Sequence, residues 1–375
     1  MQEWYRIQSL PFNFQDRSKK LAARATEKYG IDSIAITSLA NLTYFFDYNG
    51  ASFERFCAGL ISSDGKTSAL VVPALDAQKA EKSACRNVYS WTDSEGFQNA
   101  LRKAASFLGM VGKKIGVENM ITLGQMESFR EVLGESQFQS VADEIAEMRL
   151  IKEAGEIAGI RESARVLTKG YKFVQQTLKA GITETQAGND IKDYLSSLRA
   201  EVDFCAVQSG SNGSIGHALT STKKINTQDM IVVDISIRKS GYFADFTRTY
   251  VIGKANAKQK EVYEIVKKAQ ATGVRMAVEG TEAENVDKET RSVIEKAGYG
   301  EFFVHRTGHG LGLEVHEPPW IKKGNDQKLR EGMVFTIEPG IYLPGKFGVR
   351  IEDNVVIGKS GTENLTSMTH ELVEL

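Results

Sequence analysis

The chain has 375 residues, which is enough for two domains with separate hydrophobic cores. Its composition, 41% hydrophobic and 25% charged residues, is typical of a globular protein, and no apolar run reaches the roughly 18 residues that a membrane-spanning helix needs. The net charge of −1 provides no strong field for nucleic acid or anionic lipid, so short peptides or small molecules are the expected partners. The three cysteines are widely separated and no secretory signal is readable, so we expect reduced thiols and a cytoplasmic location.

The first part of the chain alternates helical and strand patterns. Helices are predicted over residues 15–29, from about 75, over 95–108 and over 124–133, and strands over 33–37, 56–61, 68–73, near 88 and over 114–117. This alternation predicts an α/β domain with a mixed sheet. The pattern then becomes continuously helical and charged, so we predict a first domain over residues 1–142 and a second over 143–375.

The second part of the chain contains a faint internal repeat. A predicted helix ends near Gly181 and the next begins with a Thr183-x-x-Gln capping box, and the same order recurs at Gly280 with a Thr281-x-x-Glu box. Two helix pairs in similar contexts indicate a duplicated half-domain with an internal pseudo-two-fold axis. A chance repeat remains the alternative.

Two aspartates lie in a predicted β-hairpin. Two strand-like runs are separated by Lys239-Ser240, and with these residues as a two-residue loop Asp234 and Asp245 face each other with Cβ atoms about 5 Å apart. Carboxylates so placed in an apolar ribbon repel each other and are costly to bury, so a divalent cation between them is the simplest explanation. The alternative is a pair of surface aspartates on an edge hairpin.

A cluster of histidines and glycines follows at residues 304–318, with His305, His309 and His316. Histidine is the commonest metal ligand and a frequent general acid or base, while glycines let the backbone pass close to a ligand. No Gly-Lys-Ser/Thr ending or GxGxxG spacing is present, which argues against a phosphate loop. Any one histidine alone would more often be structural, so the cluster is informative in combination with the carboxylates.

Two glutamates, Glu338 and Glu352, each interrupt an apolar strand-like run. An unpaired carboxylate there would have a raised pKa and would destabilise the fold. Either the glutamates share a metal ion with the aspartates, or they form buried ion pairs with Arg350 or Arg248.

Taken in chain order, these side chains resemble the ligands of the pita-bread metallopeptidases, which include methionine aminopeptidases, aminopeptidase P and prolidase. The five positions are Asp234, Asp245, His309, Glu338 and Glu352, within the motifs Asp-Phe-Thr-Arg-Thr, Gly-His-Gly-x-Gly, Glu-Pro-Gly and Val-Arg-Ile-Glu-Asp. Residues 40–45 and 114–118 are similar to the creatinase/prolidase N-domain, which methionine aminopeptidases lack. The resemblance covers nearly the whole chain. It implies an α+β protein in which this N-domain precedes a pita-bread domain, and an Xaa-Pro peptidase.

The resemblance also implies how the site works. Two divalent cations, Mn²⁺ or Co²⁺, would be bridged by Asp245 and Glu352, with Asp234 completing one site and His309 and Glu338 the other. Such ions activate water as the nucleophile. The other implied roles are proton transfer for Glu338, contact with the substrate carbonyl for His217 and His316, an apolar slot for proline at Phe204 and Val315, and support of the carboxylates by Thr247 and Arg350.

Three positions depart from the family pattern. Gly216 stands where a proline is usual, and Ser236 replaces a glycine. Many prolidases carry an arginine four residues after the second histidine, where it can bind the free carboxylate of a dipeptide, and here that residue is Trp320. An Xaa-Pro dipeptidase is expected first, an Xaa-Pro aminopeptidase acting on longer peptides is the alternative, and a non-catalytic binding module of the same fold is a third reading. Peptides with proline at the second position and a second copy of the chain, in a homodimer, are the partners that the resemblance implies.

Overall fold

The computed structural model describes residues 12–50, 53–216 and 218–375. These residues form two compact units, one ending at Arg149 and the other running over Leu150–Leu375. The predicted boundary between residues 142 and 143 falls at the start of a helix, Ala142–Leu150, whereas the division between the units falls at its end. The helix packs with the first unit because Arg149 donates a hydrogen bond to Asn41.

The first unit is built on a single mixed sheet. Its helices are α1 Phe14–Tyr29, α2 Leu39–Phe46, α3 Ala77–Ala80, α4 Gln98–Phe107, α5 Leu123–Leu133 and α6 Ala142–Leu150, and its strands are β1 Ser33–Ile36, β2 Ala58–Ser62, β3 Ser68–Pro73, β4 Asn87–Trp91, β5 Lys114–Val117 and β6 Gln137–Ser140. The strand order is β4-β3-β2-β1-β5-β6, with β2 antiparallel to both neighbours and the other pairs parallel. A core of apolar side chains from the strands, α4 and α5 holds the unit together.

Two elements of the first unit were not predicted. Helix α2 is apolar almost throughout, so its sequence has no polar face that would mark a helical period. Strand β6 is short, polar and largely exposed at the edge of the sheet, and such a strand has little hydrophobic alternation.

The second unit contains four long helices and three sheets. Its elements are α7 Ala154–Thr177, α8 Glu184–Ser197, β7 Glu201–Ser209, β8 Met230–Lys239, β9 Tyr242–Val251, α9 Ala257–Met276, α10 Ala283–Lys296, β10 Gly308–Gly310, β11 Glu317–Ile321, β12 Val334–Ile337, β13 Gly340–Leu343, β14 Phe347–Arg350, β15 Asp353–Gly358, β16 Gly361–Asn364 and β17 Val373–Glu374. The sheets have the orders β7-β8-β9-β17, β11-β10-β12-β15-β16 and β13-β14. Within the described parts of the chain, no helix is long and apolar enough to cross a membrane.

The order of two helices followed by strands occurs twice in the second unit, as the internal repeat predicted. Thr183 caps α8 by accepting a hydrogen bond from the backbone N–H of Gln186. The second predicted cap is wrong, because α10 starts after Glu282 and no side chain caps it. Glu282 forms a β-bridge with Lys328, which holds the backbone at this helix start instead.

The hairpin of β8 and β9 differs from the predicted register. The loop residues are Ser240 and Gly241, with φ of 53° and 86°, and the adjacent pair is Lys239 with Tyr242. A two-residue loop with positive φ at both positions matches the twist of the strands, and glycine adopts such a φ without strain. Asp234 therefore lies opposite Thr247 and Asp245 opposite Ser236, so direct pairing of the two aspartates is wrong. A shift of two residues keeps both aspartates on the same face.

Candidate metal centre

The predicted ligands lie on separate strands of the second unit. Asp234 is on β8 and Asp245 on β9, His309 is on β10, Glu338 follows β12, and Glu352 lies between β14 and β15. The segment containing Glu352 is joined to β9 because the Glu352 backbone N–H donates to the Thr247 carbonyl oxygen at 3.1 Å. The backbone thus brings the carboxylates of the two sheets together.

All five predicted ligands converge. Ligand atoms lie within 4.8 Å of one another in three overlapping groups: Asp234 with Asp245 and Glu352, His309 with Glu338 and Glu352, and Asp245 with His309 and His316. The Nε2 atom of His309 is 3.5 Å from Glu338 Oε1 and 3.9 Å from Asp245 Oδ2. The alternative of two surface aspartates is wrong, since Asp245 is buried and Asp234 half-buried.

Two carboxylate oxygens of this cluster are left without a protein partner. Asp245 Oδ1 and Glu352 Oε1 are buried and accept no hydrogen bond from any residue that the structure describes. Burial, and next the mutual repulsion of the carboxylates, raises the pKa of both Asp245 and Glu352 well above the usual range. Unsatisfied buried carboxylates are costly unless protons or cations neutralise them, so this donor set fits hard divalent ions.

The ring of His309 is oriented so that its Nε2 atom can bind a metal ion. Its Nδ1 lies 3.1 Å from the Gly310 carbonyl oxygen, a contact that favours a proton on Nδ1 and leaves the Nε2 lone pair toward Glu338 and Asp245. Burial and the neighbouring His316 lower the pKa of His309 well below its usual value, so the imidazole is neutral at neutral pH.

Arg350 and Thr247 hold the carboxylates in place. Arg350 Nη2 donates to Asp234 Oδ2 at 2.6 Å and Arg350 Nε donates to Thr247 Oγ1 at 3.0 Å, while Thr247 Oγ1 donates to Glu352 Oε2 at 2.7 Å. The arginine pairs with Asp234 and the other candidate, Arg248, pairs with Asp353 at 2.7 Å. The alternative in which Arg350 or Arg248 forms an ion pair with Glu338 or Glu352 is therefore wrong for the described residues.

The pKa of the Glu338 carboxyl group is also raised. Burial raises its pKa to about 7, an effect that Arg350 opposes and the charge of Asp234 reinforces. Its Oε1 accepts a hydrogen bond from Thr336 Oγ1 at 3.3 Å. A carboxyl group with a pKa near neutrality can both take up and release a proton.

The predicted substrate-contact residues differ in their exposure and position. His316 is exposed and its ring meets the His309 ring edge-on, with centroids 4.1 Å apart. Val315 is half-buried in the same loop, and Phe204 on β7 pairs with Ser236, which places Phe204 on the sheet face that carries Asp234. His217 lies outside the described residues.

One buried carboxylate, Glu184, was missed by the sequence analysis. Glu184 is fully buried at the start of α8 and accepts hydrogen bonds from the backbone and hydroxyl of Ser209, from Asn212 and from the backbone and hydroxyl of Ser221. Ser209 and Ser221 lie on either side of the segment that contains His217. A glutamate in the first turn of a helix usually interacts with the helix end, so the sequence gives no signal for this role.

One histidine and four carboxylates, two of them buried and two half-buried, meet at the junction of these sheets and form a donor set of the kind that metal-dependent enzymes use. Two family profiles match the chain: Creatinase/Prolidase N-terminal domain over residues 17–151 and Metallopeptidase family M24 over residues 158–359. The chain belongs to metallopeptidase family M24, as its motifs predicted.

Related proteins match over almost the whole chain. An Xaa-Pro dipeptidase of Pyrococcus horikoshii is 34% identical over 92% of this chain and 96% of its own length. The crystal structure of a prolidase from Thermococcus sibiricus superposes with a TM-score of 0.91 at 34% identity, covering 98% of this chain and all of that one (100%). An X-Pro aminopeptidase from Thermotoga maritima gives a TM-score of 0.85 at 32% identity, covering 94% and 100%. The predicted fold class, a creatinase-type N-domain followed by a pita-bread domain, is confirmed.

Proposed function

We propose that this protein hydrolyses the peptide bond before proline in Xaa-Pro dipeptides, with two divalent cations, Mn²⁺ or Co²⁺. The observation that carries the proposal is the convergence of Asp234, Asp245, His309, Glu338 and Glu352, two of which keep buried oxygens that no described residue satisfies. The similarity to a dipeptidase and a prolidase over more than nine-tenths of the chain supports this substrate class.

Asp245 and Glu352 would contact both ions, Asp234 would complete one site, and His309 and Glu338 the other. The chemistry that bound divalent ions supply is Lewis acidity, which lowers the pKa of water and polarises a carbonyl group. Arg350 and Thr247 orient Asp234 and Glu352 through the hydrogen bonds that they donate, which fixes the spacing of the donors.

The remaining residues would act on the substrate. Glu338 would take the proton from water and deliver it to the leaving proline nitrogen. His316, exposed beside His309, and His217 would donate hydrogen bonds to the substrate carbonyl as negative charge develops on it. Phe204 and Val315 would form the apolar slot for the proline ring.

An Xaa-Pro aminopeptidase is the second candidate, because an X-Pro aminopeptidase is also among the similar structures. Initial rates on Ala-Pro and Ala-Pro-Ala with added Mn²⁺ or Co²⁺ separate the two. We expect the dipeptide to be preferred, and preference for the tripeptide would favour the aminopeptidase. A chain that stays inert with every metal would leave the binding-module interpretation.

Three finer expectations accompany this function. A homodimer is expected from the family resemblance, and a mass measurement in solution checks it.

A cytoplasmic location is supported by three buried free cysteines, since unpaired thiols are typical of reducing compartments. Peptides with proline in second position are the expected partners, and a substrate panel tests them.

A further inference from the structure

A half-buried arginine borders the metal centre. Arg306 precedes His309 by three residues, and its guanidinium carbon lies 4.5 Å from the centroid of the Trp320 ring. Trp320 in turn is the cross-strand partner of His309 between β10 and β11. An arginine stacked on an indole is favourable in itself and loses much of its freedom to move. The stack therefore fixes the guanidinium beside the histidine ligand.

Strand pairing places the charge of Arg306 near the candidate metal centre. Arg306 lies two residues before β10, and within this strand His309 pairs with Trp320, the residue on which the guanidinium stacks. Residues directly opposite each other on paired strands have neighbouring side chains, so the stacked guanidinium lies near the side chain of His309. Arg306 is thus a cation at the edge of the space in which the reaction would occur.

This guanidinium has no acidic partner in the protein. Among residues 12–50, 53–216 and 218–375, no side chain forms an ion pair with Arg306 and no acceptor takes a hydrogen bond from its guanidinium, in contrast to Arg350 and Arg248. Burial lowers its pKa, which is the effect of removing water from a cation. A partly desolvated guanidinium with free N–H groups binds an anion from solution favourably.

We propose that Arg306, held on Trp320, binds the free carboxylate of an Xaa-Pro dipeptide and thereby selects dipeptides over longer peptides. The proposal rests on the proposed function. In a dipeptide the carboxylate belongs to the proline itself, so it lies about one residue length, roughly 3.5 Å, beyond the scissile nitrogen. The planar fork of arginine matches a carboxylate with two parallel hydrogen bonds. In a tripeptide or a prolinamide the same position is a neutral amide, so the ionic pairing is lost.

The test compares substrates that differ in this one charge. KM and kcat are measured for Ala-Pro and for alanyl-prolinamide with the Mn²⁺-loaded protein and its Arg306→Gln variant. Loss of a charge-assisted bidentate pair predicts that KM for Ala-Pro rises about 10- to 100-fold, whereas KM for the amide changes less than about twofold. Arg306→Lys keeps the charge without the fork, and we expect an intermediate rise. Arg275→Gln, an exposed arginine on α9, is the matched control and should leave both values unchanged.

A second measurement does not depend on turnover of the dipeptide. Competitive inhibition of amide hydrolysis by free proline should weaken in Arg306→Gln by the same factor as KM, and inhibition by prolinamide should not. Equal changes for charged and neutral ligands, or none for either, would overturn the assignment of Arg306 while leaving the peptidase function intact. The peptidase function itself fails in a different way, if the unaltered protein hydrolyses none of these substrates with any metal.

Discussion

Two consecutive residues, Glu352 and Asp353, are both buried and yet lie in opposite electrostatic surroundings. Glu352 Oε1 accepts no hydrogen bond from any described residue, and burial and the charge of Asp245 raise its pKa well above the usual range. Burial alone would also raise the pKa of Asp353, but the charge of Arg248 and the hydrogen bond from His370 lower it to about 2. The donors to Asp353 are Arg248, Gln270, Asn364 and His370.

The difference shows how a functional carboxylate differs from a structural one. Neighbouring residues in an extended segment point to opposite sides, so Glu352 and Asp353 face different partners. On one side the protein supplies every donor and the counter-charge. On the other side several carboxylates lie close together without enough positive charge from the protein to neutralise them. Such an arrangement destabilises the fold and is typical of a ligand-binding or catalytic site.

The largest effect on activity is expected from Asp245→Asn, which removes the charge of a carboxylate that no described residue fully satisfies. Activity should fall at least about 1000-fold, because the donor proposed to contact both metal ions loses its charge. Bound metal should fall with activity, as measured by elemental analysis and by hydrolysis of Ala-Pro. The stability of the metal-free protein should not fall, since a repelling carboxylate has been neutralised. Unchanged hydrolysis would refute the assignment of Asp245.

Asp353→Asn instead removes the charge of the carboxylate whose hydrogen bonds and counter-charge the protein supplies. Arg248 would stay buried without its counter-charge, so the free energy of unfolding should drop by about 3–5 kcal/mol in urea denaturation, with or without Mn²⁺. Glu363→Gln is the matched control, because it disrupts a half-exposed pair with Arg161 and should cost less than about 1 kcal/mol. Equal losses of unfolding free energy in Asp353→Asn and Glu363→Gln would show that the buried pair of Asp353 and Arg248 stabilises the fold no more than an exposed ion pair does.

The pH dependence of the stability should distinguish the carboxylates of the metal centre from Asp353 without any mutation. The pKa of Glu338 rises from 4.5 to about 7 on folding, and those of Asp245 and Glu352 rise as well. The folded state therefore binds more protons than the unfolded state in this window, so the metal-free protein should lose a few kcal/mol of stability as pH rises from 4.5 to about 7. The contribution of Asp353 has the opposite sign and is lost only as pH falls from 3.8 to about 2.

Thermal midpoints of metal-free and Mn²⁺-loaded protein at several pH values test this. Metal ions replace the protons, so the loaded protein should show a much smaller decline between pH 4.5 and 7. Identical pH profiles with and without metal would show that the ions do not contact these carboxylates.

Glu184→Gln should have the smallest effect. Glu184 resembles Asp353 in being satisfied, but its donors are neutral side chains and backbone groups around the His217 segment. We expect a roughly tenfold fall in kcat with unchanged bound metal, because the hydrogen bonds that anchor Ser209 and Ser221 would weaken while the proposed metal ligands stay in place. Glu284→Gln at the corresponding turn of α10 is the control and should change kcat less than about twofold. Loss of metal in Glu184→Gln would contradict a role confined to the His217 segment.

The sequence predicted which side chains converge better than it predicted their arrangement. Motifs around Asp245, His309 and Glu352 identified the residues that converge, and the helix and strand patterns predicted most elements of the first unit. The register of the hairpin was wrong by two residues, because several loop positions near Lys239 satisfy the same alternation and only the backbone conformation of Gly241 distinguishes them.

The supporting interactions were not predictable from sequence. The donors to Asp353 and to Glu184 come from distant parts of the chain and follow no spacing rule. Stacking of Arg306 on Trp320 also depends on strand pairing between β10 and β11, which no local pattern reports. These contacts become visible only when the fold is known.

Metal binding by the purified protein tests the central claim most directly. The protein is stripped with a chelator and titrated with Mn²⁺ or Co²⁺ while bound metal and Ala-Pro hydrolysis are followed in parallel. The account predicts two ions per chain, with activity rising as the sites fill. A chain that binds no divalent ion, and remains inert at every concentration, would contradict it.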